Sequence, residues 1–135
     1  MIEGTEVIAR KLVEMWKVLD FSKLGPLLAE NAVYTAGGPA RGSRREGRDA
    51  VLASHQRAVG QVFVISSVDV REVLVTPDRV AIGLHVEGQS RLTGRPYAND
   101  LLYLYRVEGG KIVHQHEYLD TVASARAAGD LPYPD

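Results

Sequence analysis

The chain has 135 residues, 45% of them hydrophobic and 24% charged, with a formal net charge of -1. That suits one soluble domain with one core, residues 1–135, and it gives no global field favouring nucleic acid or an anionic membrane. Cysteine is absent, which excludes disulfides, thiolate zinc sites and thiol nucleophiles; no apolar run approaches bilayer length; and the start MIEGTEVIARKL is unlike a secretory signal, so a cytoplasmic protein is expected.

Ile8, Leu12, Met15, Trp16 and Leu19 recur at helical spacing, one face of a helix from about Thr5 to Leu19. Asp20 or Ser22 can cap the next segment, where Leu24, Leu27 and Leu28 form an apolar stripe that Gly25-Pro26 shortens or distorts. Asn31 to Ala36 reads as a short strand. Residues 37–48 read as a polar loop, whose Arg41, Arg44, Arg45 and Arg48 could guide an anion to a pocket mouth. Asp49 to Ala58 is expected as a helix packing through Val51 and Leu52. Long strands follow at Val62 to Thr76, Arg79 to Leu92, Tyr97 to Glu108 and Lys111 to Thr121. The first two are joined by Thr76-Pro77-Asp78, the next pair by Gly94-Arg95-Pro96, and the last by Gly109-Gly110, where a primed turn needs positive φ. A short helix over Val122 to Ala128 ends the pattern, with Asp120 as its cap. Helices followed by an antiparallel meander predict an α+β fold: a cone-shaped curved antiparallel sheet with helices packed on its concave face, an α+β roll.

Side chains alternate along a strand, so the last hairpin separates into two faces. Glu117 should share one face with Val113, Gln115 and Leu119, and Asn99, Leu101, Tyr103 and Tyr105 should line one face of the preceding strand. A carboxylate on the inner face of a curved sheet is either paired or raised in pKa, and both conditions serve proton transfer. Tyr34 and Tyr103 can each place a hydroxyl on a substrate oxygen, and Trp16 can wall the pocket. His85 and Glu87 share a face and could orient or charge-balance Glu117 from the neighbouring strand. His114 and His116 fall on the opposite face from Glu117; two histidines at that spacing could hold zinc, but no third ligand is evident and no metal is expected. Leu102 and Leu104 also face outward, so a second copy of the chain is expected to cover them.

The order of elements, the GRDAV segment (Gly47 to Val51), the hairpin from Asn99 to Ile112, His116-Glu117-Tyr118-Leu119-Asp120 and the tail Arg126 to Asp135 resemble the nuclear transport factor 2-like superfamily, and within it the SnoaL-like polyketide cyclases. The resemblance covers nearly the whole chain. It places Glu117 at the cyclases' acid/base Asp, and at one of the two catalytic Asp of limonene-type epoxide hydrolases. His85-Val86-Glu87 is similar to those hydrolases' Arg-x-Asp, and Tyr34 to their water-binding Tyr, whereas Ala36 stands where they use Asn. Ala36 also stands near the base Asp of ketosteroid isomerases, and Met15 about where these carry an oxyanion Tyr, which disfavours an isomerase of that type. Tyr103 falls at their oxyanion Asp and at a His of the cyclases. The resemblance therefore implies a cofactor-free enzyme using Glu117, with His85, Glu87, Tyr103 and Tyr34, on a hydrophobic carbonyl compound. Trp16, Asn99, Leu101, Tyr105, Gln115 and Leu119 would form its pocket. The alternatives are an epoxide hydrolase, in which Glu117 activates water while Glu87, oriented by His85, protonates the epoxide, and a noncatalytic hydrophobic-ligand-binding or assembly module. A homodimer through the convex sheet face is expected, with no nucleic-acid or membrane partner.

Overall fold

The computed structural model describes residues 2–37 and 43–129. The apolar stripe of the N-terminal segment becomes α1 (Ile2–Val18), with Ile8, Leu12, Met15 and Trp16 all buried. Leu19 leaves the helix with φ 54°, a left-handed conformation that an L side chain adopts only under strain, and so the helix stops one residue before the expected end. The Asp20 side chain then accepts from the Ser22 N–H, and Gly25-Pro26 breaks the following leucine stripe into two 3-10 turns, Phe21–Lys23 and Gly25–Leu27. Leu24, Leu27 and Leu28 are buried even so.

The remaining elements are β1 (Leu28–Ala36), β2 (Ser43–Glu46), α2 (Arg48–Ala58), β3 (Phe63–Val75), β4 (Arg79–Ser90), β5 (Pro96–Glu108), β6 (Lys111–Leu119) and α3 (Thr121–Ala128). β2 falls inside the expected polar loop. All four of its residues are exposed and none is apolar, so it carries no burial period; it is a charged edge strand paired with β1 through the backbone. Arg44 pairs with Glu46 at 2.8 Å, and Arg41 lies outside the described residues. The Asp120 carboxylate caps α3, accepting from the Val122 and Ala123 N–H groups.

The sheet has six strands in the order β2-β1-β6-β5-β4-β3. β3 to β6 form the expected antiparallel meander, whereas β1 joins β6 in parallel, with Tyr34 opposite Gln115 and Ala36 opposite Glu117. Alternation on β4 and β5 turns Val80, Ile82, Leu84 and Val86, and Tyr97, Leu101, Tyr103 and Tyr105, toward the helices. Burying each such side chain contributes about 1.5–3 kcal/mol. On β6 a bulge opposite Arg106 and Val107 makes Val113 the extra residue, so Ile112 rather than Val113 is fully buried beside the Gln115 and Glu117 face. At Gly88, β3 approaches β4 so closely that a Cβ would lie 2.0 Å from the Val64 carbonyl oxygen. This contact sits beside the bulge between Ile65 and Ser67 and helps curl β3 so that Phe63 and Ile65 reach the concave side.

Candidate active site

Strand pairing concentrates the chemistry on β6. Antiparallel β5 sets Tyr103 directly opposite Glu117, and parallel β1 brings Tyr34 to its other side. The Tyr34 hydroxyl donates to Glu117 Oε1 at 2.5 Å and the Tyr103 hydroxyl donates to Oε2 at 2.6 Å. The carboxylate thus has one phenol on each oxygen. It borders a cavity of about 260 Å³ whose other walls include Trp16, His55, Phe63, Val86 and Leu101. A second hollow of about 240 Å³, with Ala36 and Gly37 in its wall, lies on the other side of Glu117 and Tyr34. Glu117 keeps part of its surface open toward these spaces although protein encloses most of it.

Burial dominates the electrostatics. Desolvation pushes the Glu117 carboxyl above its ordinary value, and the hydrogen bonds from Tyr103 and Tyr34 oppose that rise without cancelling it. Desolvation and the adjacent carboxylate both push the Tyr34 and Tyr103 phenols upward, so they stay protonated and serve as donors. Tyr105 sits one layer behind, fully buried, its hydroxyl accepting from Trp16 Nε1 at 3.0 Å.

His55 reaches this wall from α2. It lies one turn after Val51 on the same inward stripe, and it is 4% exposed. Phe21 stacks on the ring at 5.0 Å, with Trp16, Tyr34 and Tyr103 around it. Desolvation pushes its pKa down to about 4, so it is neutral at pH 7. The Gln115 amide nitrogen bonds to its Nε2. The expected site did not include His55. Its signal is in the sequence nonetheless, since a residue four after Val51 on an amphipathic helix must share the buried stripe.

Of the expected pocket residues, Trp16, Tyr34, Leu101, Tyr103, Glu117 and Leu119 do line the cavity. Asn99, Tyr105 and Gln115 are buried behind it. Asn99 ties β5 to the start of α3, its Nδ2 donating to the Asp120 carbonyl and its Oδ1 accepting from the Asp120 N–H, both at 3.0 Å. His85 and Glu87 do not reach Glu117. Inward Leu84 and Val86 fix the phase of β4, which turns both onto the outer face, where His85 bonds to Asp100 at 2.8 Å and Glu87 at 3.2 Å. The paired carboxylates of the hydrolase arrangement therefore do not form. His114 and His116 are also outside, both bonded to Thr35 Oγ1, and no group of three potential metal ligands occurs among the described residues.

The family model of the SnoaL-like domain matches residues 9–115. The chain belongs to the SnoaL-like domain family. The match ends just short of Glu117, so the role of that residue rests on the geometry rather than on the family model. Solved structures similar to this SnoaL-like chain include an NTF2-like protein from Burkholderia xenovorans, 24% identical over 95% of this chain and 98% of that one, with a TM-score of 0.79. A Bacillus subtilis protein provisionally assigned as an isomerase is 22% identical over 96% and 95%, with a TM-score of 0.77. A Catenulispora acidiphila protein with a ketosteroid isomerase-like fold, in complex with trimethylamine, is 21% identical over 90% and 92%, with a TM-score of 0.69. At these identities the likeness concerns the fold. No curated protein matches the chain. No helix among the described residues is long and apolar enough to cross a membrane.

Proposed function

We propose that this SnoaL-like protein is a cofactor-free enzyme of the isomerase or cyclase type that moves a proton on a small hydrophobic carbonyl compound, with Glu117 as the general acid/base. The observation that carries this reading is a carboxylate raised in pKa by burial, bonded by two phenols, at the wall of an apolar cavity. A carboxyl tuned upward sits closer to the operating pH, where a general base is most effective.

In this mechanism Glu117 removes a proton from the carbon next to the substrate carbonyl, and the C–H electron pair moves onto the carbonyl oxygen. Protonation of Glu117 weakens its hold on the Tyr34 and Tyr103 hydroxyls, so a phenol is released to donate to the new enolate oxygen. For isomerisation, Glu117 returns the proton at a different carbon. For cyclisation, the enolate carbon attacks a second carbonyl of the same substrate and the resulting alkoxide takes the proton from Glu117. The apolar walls exclude water and strengthen each of these interactions. Two copies would pair across the outer sheet face, where Leu102 is 40% and Tyr118 is 52% exposed, a state that sedimentation can test.

The direct test is deuterium exchange from D₂O into a panel of small cyclic ketones, followed by NMR. The wild type should catalyse exchange at the α-carbon of at least one ketone, and Glu117→Gln should lose it. A wild type that binds these ketones but exchanges no α-proton would instead be a noncatalytic binding module.

A further inference from the structure

We propose that His55 is a second substrate-contacting residue, a neutral hydrogen-bond donor that holds the oxygen of a small one- or two-ring carbonyl compound or phenol in the cavity beside Glu117. The chemistry rests on the acid/base reading above, while the binding claim stands or falls separately.

The first argument is what the phenols cannot do. Both are engaged with Glu117 until the proton moves, so neither is free to hold a substrate oxygen in the ground state. His55 is on the same cavity wall and is not so engaged. Its Nε2 meets the Gln115 amide nitrogen; with that nitrogen as the donor, Nε2 is the acceptor and the ring proton sits on Nδ1. Nδ1 makes no hydrogen bond to any described residue. His55 itself is one of the residues that wall the cavity.

The second argument is the state of Gln115. It is 1% exposed and its Oε1 has no partner, a burden that an apolar side chain of similar size would not carry. What the amide supplies is a fixed ring orientation and a fixed tautomer. Stacking on Phe21 and the edges of Trp16 and Tyr34 hold the ring plane as well. A buried neutral imidazole can donate to a developing enolate oxygen without surrendering its proton, whereas an imidazolium would transfer it. In the step described above, the C–H electron pair ends on the oxygen that Nδ1–H already contacts, and the only proton that moves is the one taken by Glu117. The cavity, at about 260 Å³, is smaller than the roughly 300–1,000 Å³ usual for drug-sized ligands. That size is the basis for the one- or two-ring limit.

The experiment uses the full chain with ¹⁵N-labelled histidine and 2-naphthol as the probe. His55 should show a protonated Nδ1 and a bare Nε2 at neutral pH. Naphthol should move the Nδ1–H signal, and its dissociation constant should weaken about tenfold in His55→Phe, the loss of one hydrogen bond. Gln115→Met, which keeps the volume and removes the amide, should mix the two tautomers and weaken naphthol too. That second variant decides the matter if His55→Phe does not fold. A bare Nδ1 in the wild type, no detectable naphthol binding, or unchanged affinity in a folded His55→Phe would overturn the proposal. If naphthol moves Nδ1–H but no ketone exchanges its α-proton, the acid/base reading fails and the His55 site stands. If exchange occurs while naphthol leaves Nδ1–H unmoved, the His55 site fails alone.

Discussion

The two sides of the β4–β5–β6 sheet border the same kinds of side chain and treat them in opposite ways. Outside, His85 lies between Asp100 and Glu87, and Arg71 reaches Asp100 at 3.4 Å. There the hydrogen bond to Asp100 raises the His85 pKa and helps the imidazole keep a second proton. Inside, burial removes the second proton from His55 and favours the proton on Glu117. A histidine and a carboxylate one face apart thus differ in the ionic form they favour. The sequence motif His-x-Glu describes the outer pair well, but water screens it, whereas enclosure raises Glu117 toward the pH at which acid/base chemistry operates.

The sharpest way to test that contrast is Glu117→Gln. Catalysed exchange should fall by about 10²–10⁴-fold, the contribution of a general acid/base. The same variant should change the pH dependence of stability. A carboxyl raised on folding favours the folded state while protonated, so wild-type stability falls as pH rises from the ordinary value of 4.5 through the folded pKa. Glu117→Gln should lack that decline in denaturant titrations.

His55 should behave with the opposite sign. Its folded pKa, about 4, lies below the ordinary 6.5, so its contribution to stability is complete above 6.5 and is lost as pH falls toward 4, up to roughly 3 kcal/mol. Comparing the acid limbs of wild type and His55→Phe reads this, and histidine NMR should find the His55 ring neutral at pH 5.5, about midway through that window.

Smaller effects are expected from Tyr34→Phe and Tyr103→Phe. Each removes one hydrogen bond that lowers the Glu117 pKa, so the acid limb of the exchange profile, where Glu117 becomes protonated and stops acting as a base, should move to higher pH and the rate should drop about tenfold. The smallest belong to the outer face. His85→Asn and Glu87→Gln should leave the exchange rate unchanged, and a large loss in either would mean that the outer network feeds the cavity after all.

Much of the fold was legible because its long strands alternate cleanly and their turns carry Pro or Gly at the required positions. That Leu101, Tyr103 and Tyr105 share one face followed from period alone, as did the shared face of Gln115, Glu117 and Leu119, whereas the register that sets Glu117 opposite Tyr103 came from the structure. The bulge at Val113 was not legible, since an extra residue changes no side-chain chemistry. The phase of β4 was readable, with Val80, Ile82, Leu84 and Val86 as its apolar residues, but the motif at His85 drew attention to the polar face instead. β2 has no apolar residue to read. His55 needed only the helical stripe to be carried one turn beyond Val51.

The parallel seam between β1 and β6 has a consequence for how the protein acquires its chemistry. Tyr34 and Glu117 are 83 residues apart, and the loop between them holds most of the sheet. Closing so long a loop carries a large entropic cost before any contact forms, which favours building the local hairpins first. Docking of β1 pairs the outer edge of β6 and brings the Tyr34 hydroxyl onto Glu117. Folding as a whole therefore draws a proton from solution between the ordinary and the folded pKa of Glu117, and the β1–β6 seam supplies the phenol that tempers this uptake.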